Sequence, residues 1–237
     1  MTVAPILYRW PPAARFGRVV PKTKFYEHGR VSAAGRERFV AEVQRITWAY
    51  KLADTTIHLH GSDEVPEIEV FEIDAKGKAV SDAVLALIDK AVPLPIMFEL
   101  NRKSGDGHET RMVAAYKRLG GPKARIGGYF GAGWQAGDSL RVPLPPALDL
   151  PGLYAGLLAP LLPVVPLPGE PLAQTTERVD QAAKLERQIA ALEKRLRVEL
   201  QLNRKVELRR QLQNQTGQLA ALIDPESSTT EDVLWTS

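Results

Sequence analysis

The chain has 237 residues, 44% hydrophobic, 25% charged and 7% aromatic, enough for one α/β domain and an appendage. It contains no cysteine, which excludes disulfides, thiolate metal sites and cysteine nucleophiles and suits a reducing compartment. The net charge is only +3 but unevenly spread: residues 1–60 carry ten Lys and Arg against four acids, residues 61–140 ten against twelve, residues 172–223 ten against six.

Residues 1–31 read as a basic, aromatic arm. Arg15, Arg18, Lys22 and Lys24 are interleaved with Phe16, Phe25 and Tyr26; bases of this kind pair phosphates while the rings stack on nucleobases. The other reading is an arm whose rings dock on the domain and whose bases face water. The opening stretch has no apolar core for a signal peptide. The most apolar stretch, 150–169, is interrupted by Pro151, Pro160, Pro163, Pro166 and Pro168, short of the ~20 clean apolar residues that cross a bilayer. A cytoplasmic protein with no membrane contact is expected.

Residues 32–148 read as the α/β domain. Ser32 is a good N-cap, and Phe39, Val43, Ile46 and Tyr50, at steps of four, three and four, predict one amphipathic helix running on to about Ala53. TTIHLH (55–60) alternates as a strand. His58 and His60 would then share a side, but a metal needs a third ligand that no spacing supplies, so no metal or cofactor is expected. EIEVFEIDAKGK (67–78) reads as a strand ending in a hairpin or loop at Gly77. Ser81 or Asp82 would cap a helix with Val84, Leu87, Ile88 and Ala91 inward. PLPIMFELNR (93–102) is a buried strand, KSGDGH a turn, and ETRMVAAYKRL a strand in preference to a helix. ARIGGYFGAGW (124–134) supports a strand and turn, since no Lys-Ser/Thr pair follows its glycines as in a phosphate loop. Asp149 and Pro151 then open an apolar helix over 149–163, and 164–173 is a stiff proline-rich connector. The fold class is α+β or mixed α/β: a small mixed sheet with covering helices, followed by a long helical segment.

That segment, 174–223, has no proline and one glycine, and is rich in helix-forming residues. Ala182, Leu185, Ile189, Leu192 and Leu196 keep heptad spacing. In the same register come Glu199, Asn203, Val206 and Arg210, a polar interruption, before a second seam of Leu208, Leu212, Gln215, Leu219 and Leu222. Two packing segments joined across RVELQLNRKVELRR are expected, forming a coiled coil with a partner chain or with the segment's own returning half. Asn203, at a seam position, would fix register. Residues 224–237 form an acidic tail.

One catalytic pattern is present, Glu72-Ile73-Asp74-Ala75-Lys76. Strand alternation puts Glu72, Asp74 and Lys76 on one face, and acid-x-lysine is how many metal-dependent nucleases hold Mg²⁺ and activate water. It is also a common solvent-facing strand edge. No nucleophile elbow, P-loop or dinucleotide fingerprint occurs.

PKTKFY, ITWAYKLADTTIHL, EIEVFEID, IDKAVPLPIMFEL, LYAGLLAPLL and above all ELQLNRKVELRRQL together resemble the bacterial domain of unknown function 4391 family, over about Pro21 to Ile223 and without the N-terminal extension. That family has no established catalytic residues to carry over. Its genes commonly sit beside those of SNF2-type helicases and DNA methyltransferases. The resemblance therefore implies a non-enzymatic accessory subunit of a DNA-acting, anti-phage complex, with a helicase-like protein or a second copy as partner and any contact with DNA indirect. The alternatives are a nuclease-like subunit acting through Asp74 and Lys76, or a DNA-binding module acting through the basic arm.

Overall fold

The structure, a computed structural model, describes residues 6–29, 31–119, 124–167 and 169–223. The acidic tail lies outside them. The chain divides into two compact units, residues 1–163 and 164–237.

The first unit is built on a seven-stranded mixed sheet. Its strands are β1 (Arg15–Val19), β2 (Val43–Leu52), β3 (Ile68–Ala75), β4 (Ile96–Ser104), β5 (Gly107–Arg118) and β6 (Arg125–Gly131), side by side in that order, with the two-residue β7 (Gln135–Ala136) paired to β5. Every pairing is antiparallel except β3 with β4, which run parallel and are joined by the crossover helix α4 (Asp82–Ala91). Three α-helices precede it in this unit, α1 (Lys22–Gly29), α2 (Ala33–Glu42) and the single turn α3 (Asp54–Ile57), among the described residues. Alternation divides the central strands into two faces. Phe71, Ile73, Phe98, Leu100 and Val113 point to the side where Phe25, Phe39, Val84 and Ile88 complete an apolar core. Glu72, Asp74, Glu99 and Asn101 point to the other.

The helix expected over 32–53 is two elements. Ser32 does cap α2, accepting from Gly35 N at 3.2 Å, but the helix stops at Glu42 and β2 takes over. Register shifts between Val43 and Arg45 and between Trp48 and Tyr50 each insert an extra residue into β2. Val43, Ile46, Ala49 and Leu52 are consequently buried at every third position. A bulged strand of this kind imitates the stripe of a helix, and its density of Val, Ile, Thr, Trp and Tyr is what favours the strand.

The strand expected over 55–60 is instead the end of α3. His58 closes it in the left-handed conformation, φ 57°, and His60 leaves it to bridge Asp149. The other strands and helices expected in this unit are present. Gly77 lies in the loop after β3, and 96–104 is a strand whose first half is fully buried. Gly105 and Asp106 turn β4 into β5, and residues 124–131 enter β6. Asp149 Oδ1 accepts from Gly152 N at 2.8 Å to open α5 (Leu150–Leu158), with Leu153, Leu157, Leu158, Leu161 and Leu162 all buried. In α4, Val84 and Ile88 are buried, as is the unanticipated Leu85, while Leu87 and Ala91 are half-buried. Ser81 does not cap α4 with its side chain. Its N–H and hydroxyl donate instead to the Glu42 carboxylate at 2.7 and 3.1 Å, pinning the start of α4 to the end of α2.

The N-terminal segment is part of this unit. Leu7, Tyr8, Trp10 and Phe25 are buried, and Phe16 packs on Trp48 with ring centres 4.2 Å apart. Arg15 and Arg18 are exposed on β1, with Arg18 over the Phe16 ring. Lys22 donates to Val43 O, and Lys24 pairs with Glu27 at 3.4 Å. The rings that would have stacked on bases are used in packing.

Lys117 fixes the far end of the crossover. Its side chain is fully buried, its three N–H groups donate to the carbonyls of Asp89, Val92 and Leu94, each at 2.8 Å, and Asp89 Oδ1 lies 2.6 Å away as its ion-pair partner. Tyr129 Oη donates to the other Asp89 oxygen at 2.5 Å. Burial pushes the Asp89 carboxyl up and the Lys117 ammonium down. The three backbone acceptors, which only an ammonium satisfies together, keep the lysine charged.

The second unit is a helical hairpin, α6 (Leu172–Val198) and α7 (Leu202–Ile223), packed on one another. At 1.5 Å per residue they are roughly 40 and 33 Å long. Neither proline nor glycine marks the reversal. Glu199 adopts extended backbone, and its carboxylate accepts from Leu200 N at 3.0 Å and Gln201 N at 2.9 Å, which holds the turn before α7. The returning half of the segment is thus its own companion. Leu192 and Leu208 are buried between the helices, whereas Leu185, Ile189, Leu196, Leu212, Leu219 and Leu222 are half-buried. Asn203 is exposed and not on this seam; the reversal at 199–201 restarts the register before it. At the open end of the hairpin, Arg178 donates to Glu170 at 2.8 and 3.1 Å, to Val165 O at 2.8 Å and to Leu222 O at 2.7 Å.

Candidate functional site

The polar face of the sheet holds a cavity of about 410 Å³ lined by residues of β3, β4 and β5 and by the loop around Gly137 and Arg141. Strand register sets its floor. Glu72 lies opposite Glu99, Asp74 opposite Asn101, Asn101 opposite Thr110, and Lys103 opposite His108.

Most of these groups are already committed. Glu99, 1% exposed, takes both guanidinium nitrogens of Arg141 at 2.7 and 2.9 Å and the Trp10 indole N–H at 2.5 Å. Arg141 also donates to Tyr8 O at 2.8 Å, which ties residues 8–10 to 141–142 across the cavity. The bond to Glu99 holds the Arg141 guanidinium above its usual range. Asp74 accepts from Arg45 at 2.9 Å and Asn101 at 3.2 Å. Arg102 pairs with Glu109 and lies over the Trp134 ring, 4.0 Å from its centre.

Glu72 is the exception. Among the described residues its carboxylate has no hydrogen-bond donor. Burial, then the neighbouring Glu99 and Asp74 charges, push it above the ordinary carboxylate range, against the pull of Arg141 and Arg45.

The structure therefore brings Glu72 and Asp74 together and leaves Lys76 out. Lys76 follows the last residue of β3, its N–H bonds Glu42 O, and its charge acts on Lys22 on the helix side. Among the described residues, no three His, Asp or Glu side chains converge as a metal would require. His58 and His60 are exposed, with His60 paired to Asp54 at 2.9 Å. Sequence reasoning missed Glu99, Arg141 and Trp10. Glu99 sits inside an apolar run, and no local pattern links it to an arginine 42 residues away.

The apolar side carries a smaller cavity of about 250 Å³, walled by Phe25, Trp48, Phe71 and Leu94 and reached by Glu69. Glu69 is 1% exposed. One oxygen accepts from Trp48 Nε1 at 2.6 Å and the other has no partner. Burial, chiefly, pushes its carboxyl up to about 7, with Glu67 adding to this and Trp48 and Lys51 opposing. The folded chain thus keeps a proton that the unfolded chain releases above its ordinary 4.5. The resulting stability is complete below that value, declines as pH rises towards 7, and does not change further above it. Glu69→Gln keeps the acceptor for Trp48 and removes the titration. We expect it to raise the melting temperature by several degrees at pH 8, from about 3 kcal/mol, and to match the parent at pH 4.5 in thermal melts across that range.

On the hairpin, Val198, Leu200, Leu202 and Val206 are 74%, 92%, 72% and 58% exposed. They cluster at the reversal, flanked by exposed Arg195, Arg197, Arg204, Arg209 and Arg210. Among the described residues no helix is long and apolar enough to cross a membrane.

No curated protein and no solved structure matches the chain significantly. A family model described as a domain of unknown function, DUF4391, matches residues 9–219. The match starts earlier than the resemblance read from the sequence, taking in Trp10 and most of the N-terminal segment. It reaches through β1–β7 and both helices of the hairpin nearly to the end of α7. With most of its length inside that one pattern, the chain belongs to the DUF4391 family.

Proposed function

We propose that the protein is a non-enzymatic interaction subunit that grips a partner through its helical hairpin. The observation that carries this reading is the reversal. Four large apolar side chains stand in water at the end of a roughly 40 Å support, ringed by arginines. Exposed apolar clusters with a polar rim mark protein-binding surfaces. Below them, most leucines of the two-helix layer are only half-buried, and a third helix would cover them further. The basic rim suits an amphipathic partner helix with acidic flanks. The gene neighbours implied by the family resemblance point to an SNF2-type helicase of a DNA-acting defence complex as that partner, with a second copy of this chain as the alternative. The protein would then meet DNA through its partner.

A nuclease reading has less support. Lys76 is apart from Glu72 and Asp74, and Asp74 is held by Arg45. For direct DNA binding, the rings of the N-terminal segment are engaged in packing, and Arg18 itself lies over the Phe16 ring.

The triple substitution Leu200→Asp, Leu202→Asp and Val206→Asp changes only exposed positions and should leave the melting temperature within about 2 °C. Co-expressed with an SNF2-type helicase of the kind proposed, the parent should copurify with it and the triple variant should not. Retention of the helicase by the variant, or no complex with the parent by light scattering, removes this reading.

A further inference from the structure

The polar cavity has two uncommitted ends of opposite character. At the deep end Glu72 is half-buried beside the fully occupied Glu99, with no donor of its own among the described residues. A carboxylate held in this way gains most from a ligand that brings N–H groups, because nothing in the protein compensates it. At the rim Lys103 and His108 lie side by side in register, exposed and with neither side chain paired among the described residues. His108 is seated there by Gly137. A Cβ on that glycine would fall 1.8 Å from the His108 Nε2, so the ring rests where only a glycine leaves space. Four residues of β4 separate Glu99, next to Glu72, from Lys103, which is roughly 13 Å of strand. Between the ends, Asn101 and Thr110 bond each other at 2.7 Å and offer a neutral polar floor. A cavity of about 410 Å³ is within the range of small-molecule sites.

The geometry points to this cavity as a binding site for a nucleoside monophosphate, its base presenting N–H donors to Glu72 and its phosphate meeting Lys103 and His108. An elongated ligand with donors at one end and an anion at the other matches the two free ends, and a mononucleotide has both the length and the flat donor edge. A guanine edge suits Glu72 best, since its adjacent ring and amino N–H groups meet one carboxylate as a pair. The committed groups, the Glu99–Arg141 and Asp74–Arg45 pairs, hold the walls in place. This site is independent of the hairpin, and its failure would leave the interaction reading untouched.

The test is titration calorimetry of the full chain with GMP, guanosine and ribose 5-phosphate as probes. GMP should bind with a dissociation constant in the micromolar range, and each of the two fragments at least ten times more weakly. Glu72→Gln should weaken GMP at least tenfold and leave ribose 5-phosphate unchanged. Lys103→Gln should do the reverse, weakening GMP and sparing guanosine. Neither variant should fall below the parent's melting temperature, since Glu72 has no hydrogen bond to lose among the described residues and Lys103 is exposed. The proposal is overturned if GMP binds no more tightly than ribose 5-phosphate, or if either variant binds GMP as the parent does.

Discussion

Replacing Lys117 by methionine should lower the melting temperature of the sheet unit by roughly 10 °C or prevent its folding outright. One ammonium with no access to water donates to the carbonyls of Asp89, Val92 and Leu94 and forms an ion pair with the Asp89 carboxylate. These carbonyls belong to the end of α4 and the turn that leads into β4, where the helix has run out of N–H donors of its own. Methionine fills most of the space but satisfies none of them, and leaves Asp89 as a buried charge facing only Tyr129. Breaking one side of a buried ion pair costs about 3–5 kcal/mol. Adding Asp89→Asn removes that stranded charge and should recover part of the loss, while the three carbonyls stay unpaired. Thermal melts of the single and double variants decide it. A change within 2 °C for Lys117→Met would mean that the turn is held by something else.

Replacing Arg178 by alanine should open the base of the hairpin. The arginine joins the connector at Val165 and Glu170 to the last turn of α7 at Leu222. It is also what chiefly holds the Glu170 carboxyl down to about 2. A carboxyl lowered by folding contributes stability that is full above its ordinary 4.5 and is lost as pH falls towards the folded value. The parent hairpin should therefore loosen in acid, between about pH 4.5 and 2, and the variant should show little of that dependence. At pH 7 amide exchange near the end of α7 should quicken by tenfold or more, the equivalent of at least about 1.4 kcal/mol. Unchanged exchange at residues 219–223 would show that the leucine seam alone closes the hairpin.

Local rules carried the reading where an element is specified by its own residues. Asp149 with Pro151 opens α5, Gly105 and Asp106 turn β4 into β5, and Leu192 and Leu208, one from each leucine seam, are buried in the hairpin. They failed where tertiary structure rewrites the period. In β2 two bulges made a strand bury every third residue, so four-three spacing predicted a helix. Asn203 was placed by counting through a reversal that no proline or glycine announces. The reversal depends on Glu199 folding its carboxylate back onto two backbone N–H groups, and a glutamate among many others carries no such signal. For the cavity, Glu72 and Asp74 were legible as neighbours on a face because a strand alternates. Lys76 fell away because the strand ends one residue before it. Glu99 and Arg141 meet only because residues 8–10 and 141–142 are brought together from opposite ends of the unit, which no single-sequence pattern encodes.

The same meeting has a consequence for synthesis. Through β6, each strand pairs with the one made just before it, across a helix-bearing connection or a short turn, so no pairing in this order waits for a distant strand. The sheet can zip up in order as it leaves the ribosome. Leu7, Tyr8 and Arg9 cannot join it then, because their backbone partners are at Arg141 and Val142. The first residues made in this unit must wait for nearly the last, and until they arrive Trp10 and Glu99 lack the clasp that closes over the sheet.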